Sequence, residues 1–231
     1  MDAIAFIPVR GGSKSIPKKN IKLLNGKPLL YWTTKAAEDC PWISEIIIAT
    51  DDSDIKQNAL SFNFKKVSMY DRNSLNASDT ASTESVMLEF LENHPGEINP
   101  NRPFVLIQAT NPFVQEFQLS EALTRFAEKP EGSLLSCTSF KRFLWNSDGE
   151  ALNYSFLQRP RRQDFNGSYL ENGAFYINTV SNIIKNQNRL SNPVQIYEMP
   201  EYSSFEIDEP EDWIIVEQLH QRMLQNQKVK P

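Results

Sequence analysis

The chain has 231 residues, 40% hydrophobic and 23% charged, which is enough apolar side chain for the core of one ordinary-to-large soluble domain. Its formal net charge of -5 argues against broad binding to nucleic acid or an anionic membrane surface, and no apolar run is long enough to span a bilayer. The opening "MDAIAFIPVRGG" is too short for a secretory h-region, and Cys40 and Cys137 show no CxxC spacing, so the expectation is a cytoplasmic protein with reduced thiols.

The first element, "AIAFIPV" (3–9), is a short continuous apolar run, the pattern of a strand buried on both faces. "EIIIAT" (45–50), "PFVLIQAT" (103–110) and "SLLSCTSF" (133–140) repeat it. Between them lie helical patterns. "KPLLYWTTKAAEDC" places Pro28 in a first turn, and "DDSDIKQNALSF" opens on Asp51 and Asp52, either helix caps or site carboxylates. "STESVMLEFLENH" offers Ser82 or Thr83 as cap, with Val86, Phe90 and Leu91 on one face, and a further helix is expected over Leu119 to Glu128. The βαβα alternation predicts an α/β protein with a doubly wound, mostly parallel sheet. It lapses between about Lys141 and Asn172, where aromatics, arginines and turn residues predict a hairpin-like arm with a partner surface. "GAFYIN" and "VQIYEMP" resume the sheet. A final helix, "EPEDWIIVEQLHQRML", puts Trp213, Val216, Leu219 and Met223 on one side, and the polar tail "MLQNQKVKP" is expected to fray. Residues 1–231 read as a single domain with an inserted arm at about 141–172.

Between the first strand and helix, "IPVRGGSKSIPKKN" (7–20) gathers Arg10, Lys14, Lys18 and Lys19, with Lys22 just beyond. Adjacent glycines let a backbone approach an anion closely, and unpaired N–H groups there form a positively polarised nest. Arginine can grip phosphate with a fork, while lysines act as point charges. In an open α/β sheet a ligand belongs at the carboxyl ends of the strands, where this loop falls. Neither G-x-G-x-x-G nor G-x-x-x-x-G-K-[ST] is present, so dinucleotide and P-loop readings lose their main support. Near the other end, Glu206 and Asp208 are two apart. Along an extended segment their side chains share a side, a spacing that suits a divalent cation. The alternative is that they cap the following helix, a role Asp212 fits better. His94, His220 and the cysteines lack a catalytic context, so covalent nucleophilic catalysis has no candidate.

The run "IPVRGGSKSIPKKNIKLLNGKPLL" resembles the N-terminal signature of the acylneuraminate cytidylyltransferases, R-G-G-S-K-x-I-x-x-K-N, at Arg10, Gly11, Gly12, Ser13, Lys14, Ile16, Lys19 and Asn20. "IIIATDDSDI", "RNSLNASDTAST", "LIQATNPF", "YLENGAFYI" and "SSFEIDEPEDW" resemble further landmarks of that family, in family order and across nearly the whole chain. The chain departs from the pattern at Asn73 (proline), Ala109 and Asn111 (proline and serine) and Glu206 (aspartate). The resemblance implies a Rossmann-like nucleotidyltransferase fold with a small protruding dimerisation arm. It also implies a homodimeric enzyme that joins CTP to a nine-carbon, sialic-type 2-keto-3-deoxy sugar acid for surface glycan synthesis, with Mg²⁺ or another divalent cation. Arg10, Lys14 and Lys19 would meet the triphosphate, with Gly11, Gly12, Ser13 and Asn20 completing the loop. Arg72 and Thr83 would lie near the cytidine, and Gln108, Thr110 and Asn172 towards nucleoside or sugar. Arg162 would reach the neighbouring subunit's sugar or be a plain surface arginine, and Glu206 and Asp208 would hold the metal. Lys18 matches no family position and reads as a solvated neighbour. Two alternatives stand beside this reading: a non-catalytic nucleotide-binding module on the same fold, and a cytidylyltransferase for Kdo or another sugar acid.

Overall fold

The computed structural model describes residues 2–73, 76 and 81–229. Strand β1 (Ala3–Pro8) leads through the basic loop to a two-strand ribbon, β2 (Leu23–Leu24) and β3 (Lys27–Pro28). The ribbon's Asn25-Gly26 turn has φ of 48° and 81°, the doubly left-handed backbone that Asn-Gly supplies at little cost. Then follow α1 (Leu29–Asp39), β4 (Ile43–Thr50), α2 (Ser53–Leu60), β5 (Val67–Asp71), α3 (Thr83–Glu92), β6 (Pro103–Ile107) and α4 (Glu116–Glu128). β7 (Ser133–Phe140), β8 (Ser168–Thr179), α5 (Val180–Asn186), β9 (Val194–Met199) and α6 (Pro210–Val229) complete the chain.

Seven strands form one sheet in the order β5-β4-β1-β6-β8-β7-β9. β8 runs antiparallel to β6 and β7, while the other pairings are parallel, so the sheet is mostly parallel as expected. Alternation along β1 explains its continuous apolar run. Ala3, Ala5 and Ile7 enter a core shared with α1, α2 and α4, while Ile4 and Phe6 enter one shared with α3 and α5. The chain reverses its winding at β1, leaving a crevice at the carboxyl ends of β1 and β6, the place where such sheets take ligands.

A third apolar cluster, under α6, fixes the site. Ile16 of the basic loop and Ile207, between the two acids, are both buried in it with Leu29, Phe113, Trp213 and Val216. One core therefore sets the spacing between the loop and the acid segment.

Several expectations shift. β6 ends at Ile107, because Gln108 turns to accept the Asn111 N–H at 3.3 Å. α4 starts at Glu116, its first turn closed by Gln118, whose side chain accepts the Gln115 N–H at 3.0 Å. β5 and α5 were not anticipated. The expected arm of 141–172 gives up its last residues to β8, whose Ser168 to Glu171 pair with Phe140 to Cys137, so the excursion spans 141–167. It carries one bridge, Trp145 to Ala151, and exposes Trp145, Leu152, Phe156 and Leu157. The tail expected to fray is helical to Val229, and Lys230 and Pro231 lie outside the described residues. Cys40 and Cys137 are buried free thiols.

His220 on α6 is fully buried, its ring against Trp32 and its Nδ1 3.1 Å from the Asn25 amide nitrogen. Burial pushes its pKa down from 6.5 to about 4. The folded chain keeps it neutral while the unfolded chain protonates it, so its stabilisation is complete above pH 6.5 and lost as pH falls towards 4. Urea unfolding should show wild type losing about 2 kcal/mol more than His220→Leu between pH 7.5 and pH 5. Equal losses in the two proteins would remove this role.

Candidate active site

The basic loop emerges from the carboxyl end of β1, and its cations divide by contact. Lys18 is exposed and pairs with Asp54 on α2 at 2.7 Å, a solvated neighbour. Lys22 stacks over Trp213, 4.2 Å from the ring centroid. Lys19 is mostly buried and donates from Nζ to the Ile207 carbonyl at 2.8 Å, with Asp208 Oδ1 3.4 Å away. Arg10 is half-buried, and its carbonyl accepts from the buried Asn20 side chain at 3.1 Å, so Asn20 fixes the loop. Lys14 is exposed in the same loop, beside Gly12 and Ser13.

Gly11 is needed for close approach: a Cβ there would lie 2.3 Å from Asp52 Oδ2. Its N–H donates to Asp51 at 3.3 Å, and Asp52 caps α2 by accepting from the N–H groups of Asp54 and Ile55 at 2.8 and 3.0 Å. The two possibilities open for these acids therefore resolve into a cap and a loop anchor.

Arg10, Lys19 and Asn20 form one wall of a cleft of ≈ 250 Å³; Arg72 and Thr83 line a second side, and Gln108, Ala109 and Thr110 a third. Thr83 opens α3, capped by Ser82, whose hydroxyl accepts the Ser85 N–H at 3.0 Å. Arg72 Nε is buried without a hydrogen-bond partner among the described residues, a donor that an incoming ligand would satisfy. Most of the landmark between Arg72 and Thr83, residues 74, 75 and 77–80, lies outside the described residues. A larger, more apolar hollow of ≈ 510 Å³ lies between α6 and Phe117 and Tyr202, away from this charge.

The acid segment adjoins the cleft through two of its lining residues, Lys19 and Thr110. Thr110 donates its hydroxyl to Glu206 at 3.3 Å and its carbonyl accepts the Ile207 N–H at 3.0 Å. Burial, with Asp208 and then Glu171 nearby, pushes the Glu206 pKa up to about 7. Gly173, at φ +60°, makes room for that carboxylate; a Cβ there would meet its Oε2 at 2.3 Å. Asp212 accepts the N–H groups of Asp208 and Glu209 at 3.0 and 2.8 Å. The capping role thus falls to Asp212, leaving the Glu206 and Asp208 carboxylates for other work.

Among the described residues, no three His, Cys, Asp or Glu side chains gather into a closed metal cage. Two hard carboxylates that repel one another, beside the Thr110 hydroxyl, do match the donor set of Mg²⁺, which takes one or two carboxylates and completes its shell with substrate phosphates and water.

The comparison that decides the family is that of residues 4–230, which match the cytidylyltransferase family profile over almost their whole length. The chain belongs to that family. The chain is 34% identical over 223 residues to an N-acylneuraminate cytidylyltransferase of Oncorhynchus mykiss, which takes in 93% of the chain and 49% of the relative. It is 26% identical over 224 residues to the Streptococcus agalactiae serotype V enzyme of that name, 94% of the chain and 52% of the relative. The chain spans about half the length of these relatives. Among solved structures, a CMP:2-keto-3-deoxy-manno-octonic acid synthetase complexed with CTP superimposes with a TM-score of 0.68 at 18% identity, over 96% of this chain and 100% of that one. A 4-diphosphocytidyl-2C-methyl-D-erythritol synthase of Anaerococcus prevotii gives 0.67 at 16%, over 95% and 96%. Both share the nucleotidyltransferase fold.

One expected position of this cytidylyltransferase, Asn172, falls elsewhere, while Arg162 keeps the exposed place that either of its readings allows. Asn172 is fully buried: its amide donates to Ser203 Oγ at 3.1 Å and accepts from Ser136 at 2.7 Å, so it braces β8. Gly173 beside it has a positive φ, and the β7–β8 pairing shifts register between Leu135 and Cys137. Arg162 is exposed on the excursion, 3.5 Å from Glu201 of the same chain. Of the departures from the family pattern, Ala109 lines the cleft. Asn111 is buried below it, donating to the Asn172 and Ser203 carbonyls at 2.6 and 2.8 Å, and so shapes the scaffold. Ser82 was read as a helix cap and missed as a residue lining the cleft, while nothing local marks Asp51, already a candidate site carboxylate, as a partner of Gly11.

Proposed function

We propose that this cytidylyltransferase activates a nine-carbon, sialic-type 2-keto-3-deoxy sugar acid with CTP, forming the CMP-sugar and releasing pyrophosphate. The observation that carries the reading is the attachment of the acid segment to the cleft's lining, through Lys19 to Ile207 and Asp208 and through Thr110 to Glu206. The anomeric hydroxyl attacks the α-phosphorus and gives up its proton to solvent water; an oxygen–phosphorus bond forms as the bond to the bridging β-phosphate oxygen breaks, and pyrophosphate leaves with the electron pair. Such chemistry rests on positioning and charge neutralisation. Arg10, Lys14 and Lys19 meet the phosphates, with the Gly11, Gly12 and Ser13 backbone as the nest. Arg72 and Thr83 face the nucleoside, and Gln108 and Thr110 orient the sugar. Mg²⁺, held by Glu206 and Asp208, supplies further neutralisation of phosphate charge when bound.

The exposed aromatics of the excursion support a homodimer, with Arg162 reaching the neighbouring site. Location in the cytoplasm, where CTP is made, completes the reading; among the described residues no helix is long and apolar enough to cross a membrane. The test is pyrophosphate release from CTP and Mg²⁺ across N-acetylneuraminate, legionaminate, pseudaminate and Kdo. Release with one of the nine-carbon acids is the expected result. Release with Kdo alone would overturn the sugar assignment, and release with none would overturn the reaction.

A further inference from the structure

Arg72 enters the cleft just beyond β5, and a single carboxylate on α3 organises the backbone that carries it. Glu89 Oε1 accepts the Asn73 N–H at 2.8 Å and the Tyr70 hydroxyl at 2.9 Å, while Oε2 accepts from the Asn76 side-chain amide. The Asn76 carbonyl accepts from Arg72 Nη2, and its N–H donates to the Asn73 carbonyl at 2.9 Å. Asn93, one turn beyond Glu89, donates to the Tyr70 hydroxyl at 2.6 Å and so orients the phenol towards the carboxylate. Three donors from three residues thus converge on one side chain, and the group they hold in register is the arginine whose buried Nε has no acceptor among the described residues. The Asn73 N–H bond is open to this chain because residue 73 is not proline, which has no N–H to give.

Resting on the function proposed above, we infer that Glu89 is a positioning residue for nucleotide recognition: it fixes the backbone about Arg72 so that the guanidinium meets the nucleoside side of CTP. Glu89 touches no substrate itself. It acts through Asn73 and Asn76, and its charge suits three donors where a neutral amide could satisfy only two.

The experiment is calorimetric CTP binding to the full chain, beside the KM for the sugar acid and the unfolding midpoint. Glu89→Gln keeps the size but turns an amide donor against the Asn76 amide. The Kd for CTP should rise about tenfold, the loss of one charge-assisted hydrogen bond, while the sugar KM and the midpoint hold. Combining it with Asn76→Asp restores a donor facing an acceptor, and the Kd should return to within about threefold of wild type. Asn76→Ala, which leaves α3 untouched, should also weaken CTP and decides the matter if Glu89→Gln fails to fold. Wild-type CTP affinity in Glu89→Gln, or in Asn76→Ala where Glu89→Gln does not fold, would overturn the inference. So would parallel losses in sugar KM and midpoint. A wild-type chain that binds no CTP would instead reject the functional reading on which the inference rests.

Discussion

Arg10→Ala should lower kcat/KM for pyrophosphate release by at least roughly a hundredfold, the scale of losing one preorganised charge donor from a water-poor site. Arg10 sits just beyond the carboxyl end of β1 and lines the cleft, and the Asn20 bond to its carbonyl holds its backbone. On the proposed mechanism that charge meets the phosphates where negative charge grows in the transition state. Asp208→Ala should cost a similar factor. Lys18→Ala supplies the contrast: that lysine is exposed and spends its charge on Asp54, so its loss should change the rate less than about twofold. Steady-state assays of the three variants check the assignment. Near wild-type activity in Arg10→Ala would remove its role, and an equal loss in Lys18→Ala would mean that the loop acts only through its overall charge.

Arg189→Met should destabilise the fold by about 3 kcal/mol, because it leaves a largely buried carboxylate without its partner. Arg189 grips Glu84 with two nitrogens, at 2.5 and 3.0 Å, and stacks 4.9 Å above the Tyr176 ring. Both side chains of the pair are about four-fifths buried. The hydrogen bonds from Arg189 hold the Glu84 carboxyl below its ordinary 4.5, so this stabilisation is present above that pH and is lost as pH falls through the lowered value. The pair ties the first turn of α3, with Thr83 in the cleft, to the segment after α5. Adding Glu84→Met removes the orphaned charge and should recover more than half of the loss. Urea unfolding of the single and double variants measures both effects, and additive losses would show that the pair is not coupled.

Much of this was legible because it is local. β1 announces itself by an apolar run buried on two faces, and α2 and α3 by Asp52 and Ser82 at their starts. The basic loop also stood out, since glycines and cations following a buried strand have few other uses. What stayed hidden depends on distance or on a broken period. β5, "VSMYD", is a half-exposed edge strand without a continuous apolar run. The Glu84–Arg189 pair joins residues 105 positions apart. Asn172 was read as the end of the arm and as facing the sugar, whereas it lies within β8 and is fully buried, a tertiary outcome that no local pattern marks. Glu206 was legible as a carboxylate, yet its raised pKa comes from tertiary burial and from Asp208 and Glu171 together.

The central claim, that the basic loop and the acid segment build one CTP-dependent transferase site, is tested most directly by following products. CTP, Mg²⁺ and N-acetylneuraminate are incubated with the full chain and monitored by phosphorus NMR. The account predicts a new phosphodiester signal from CMP-sugar appearing one-to-one with pyrophosphate, and only when a sugar acid is present. Pyrophosphate released without sugar, or CTP left intact with every sugar of the panel, would contradict it.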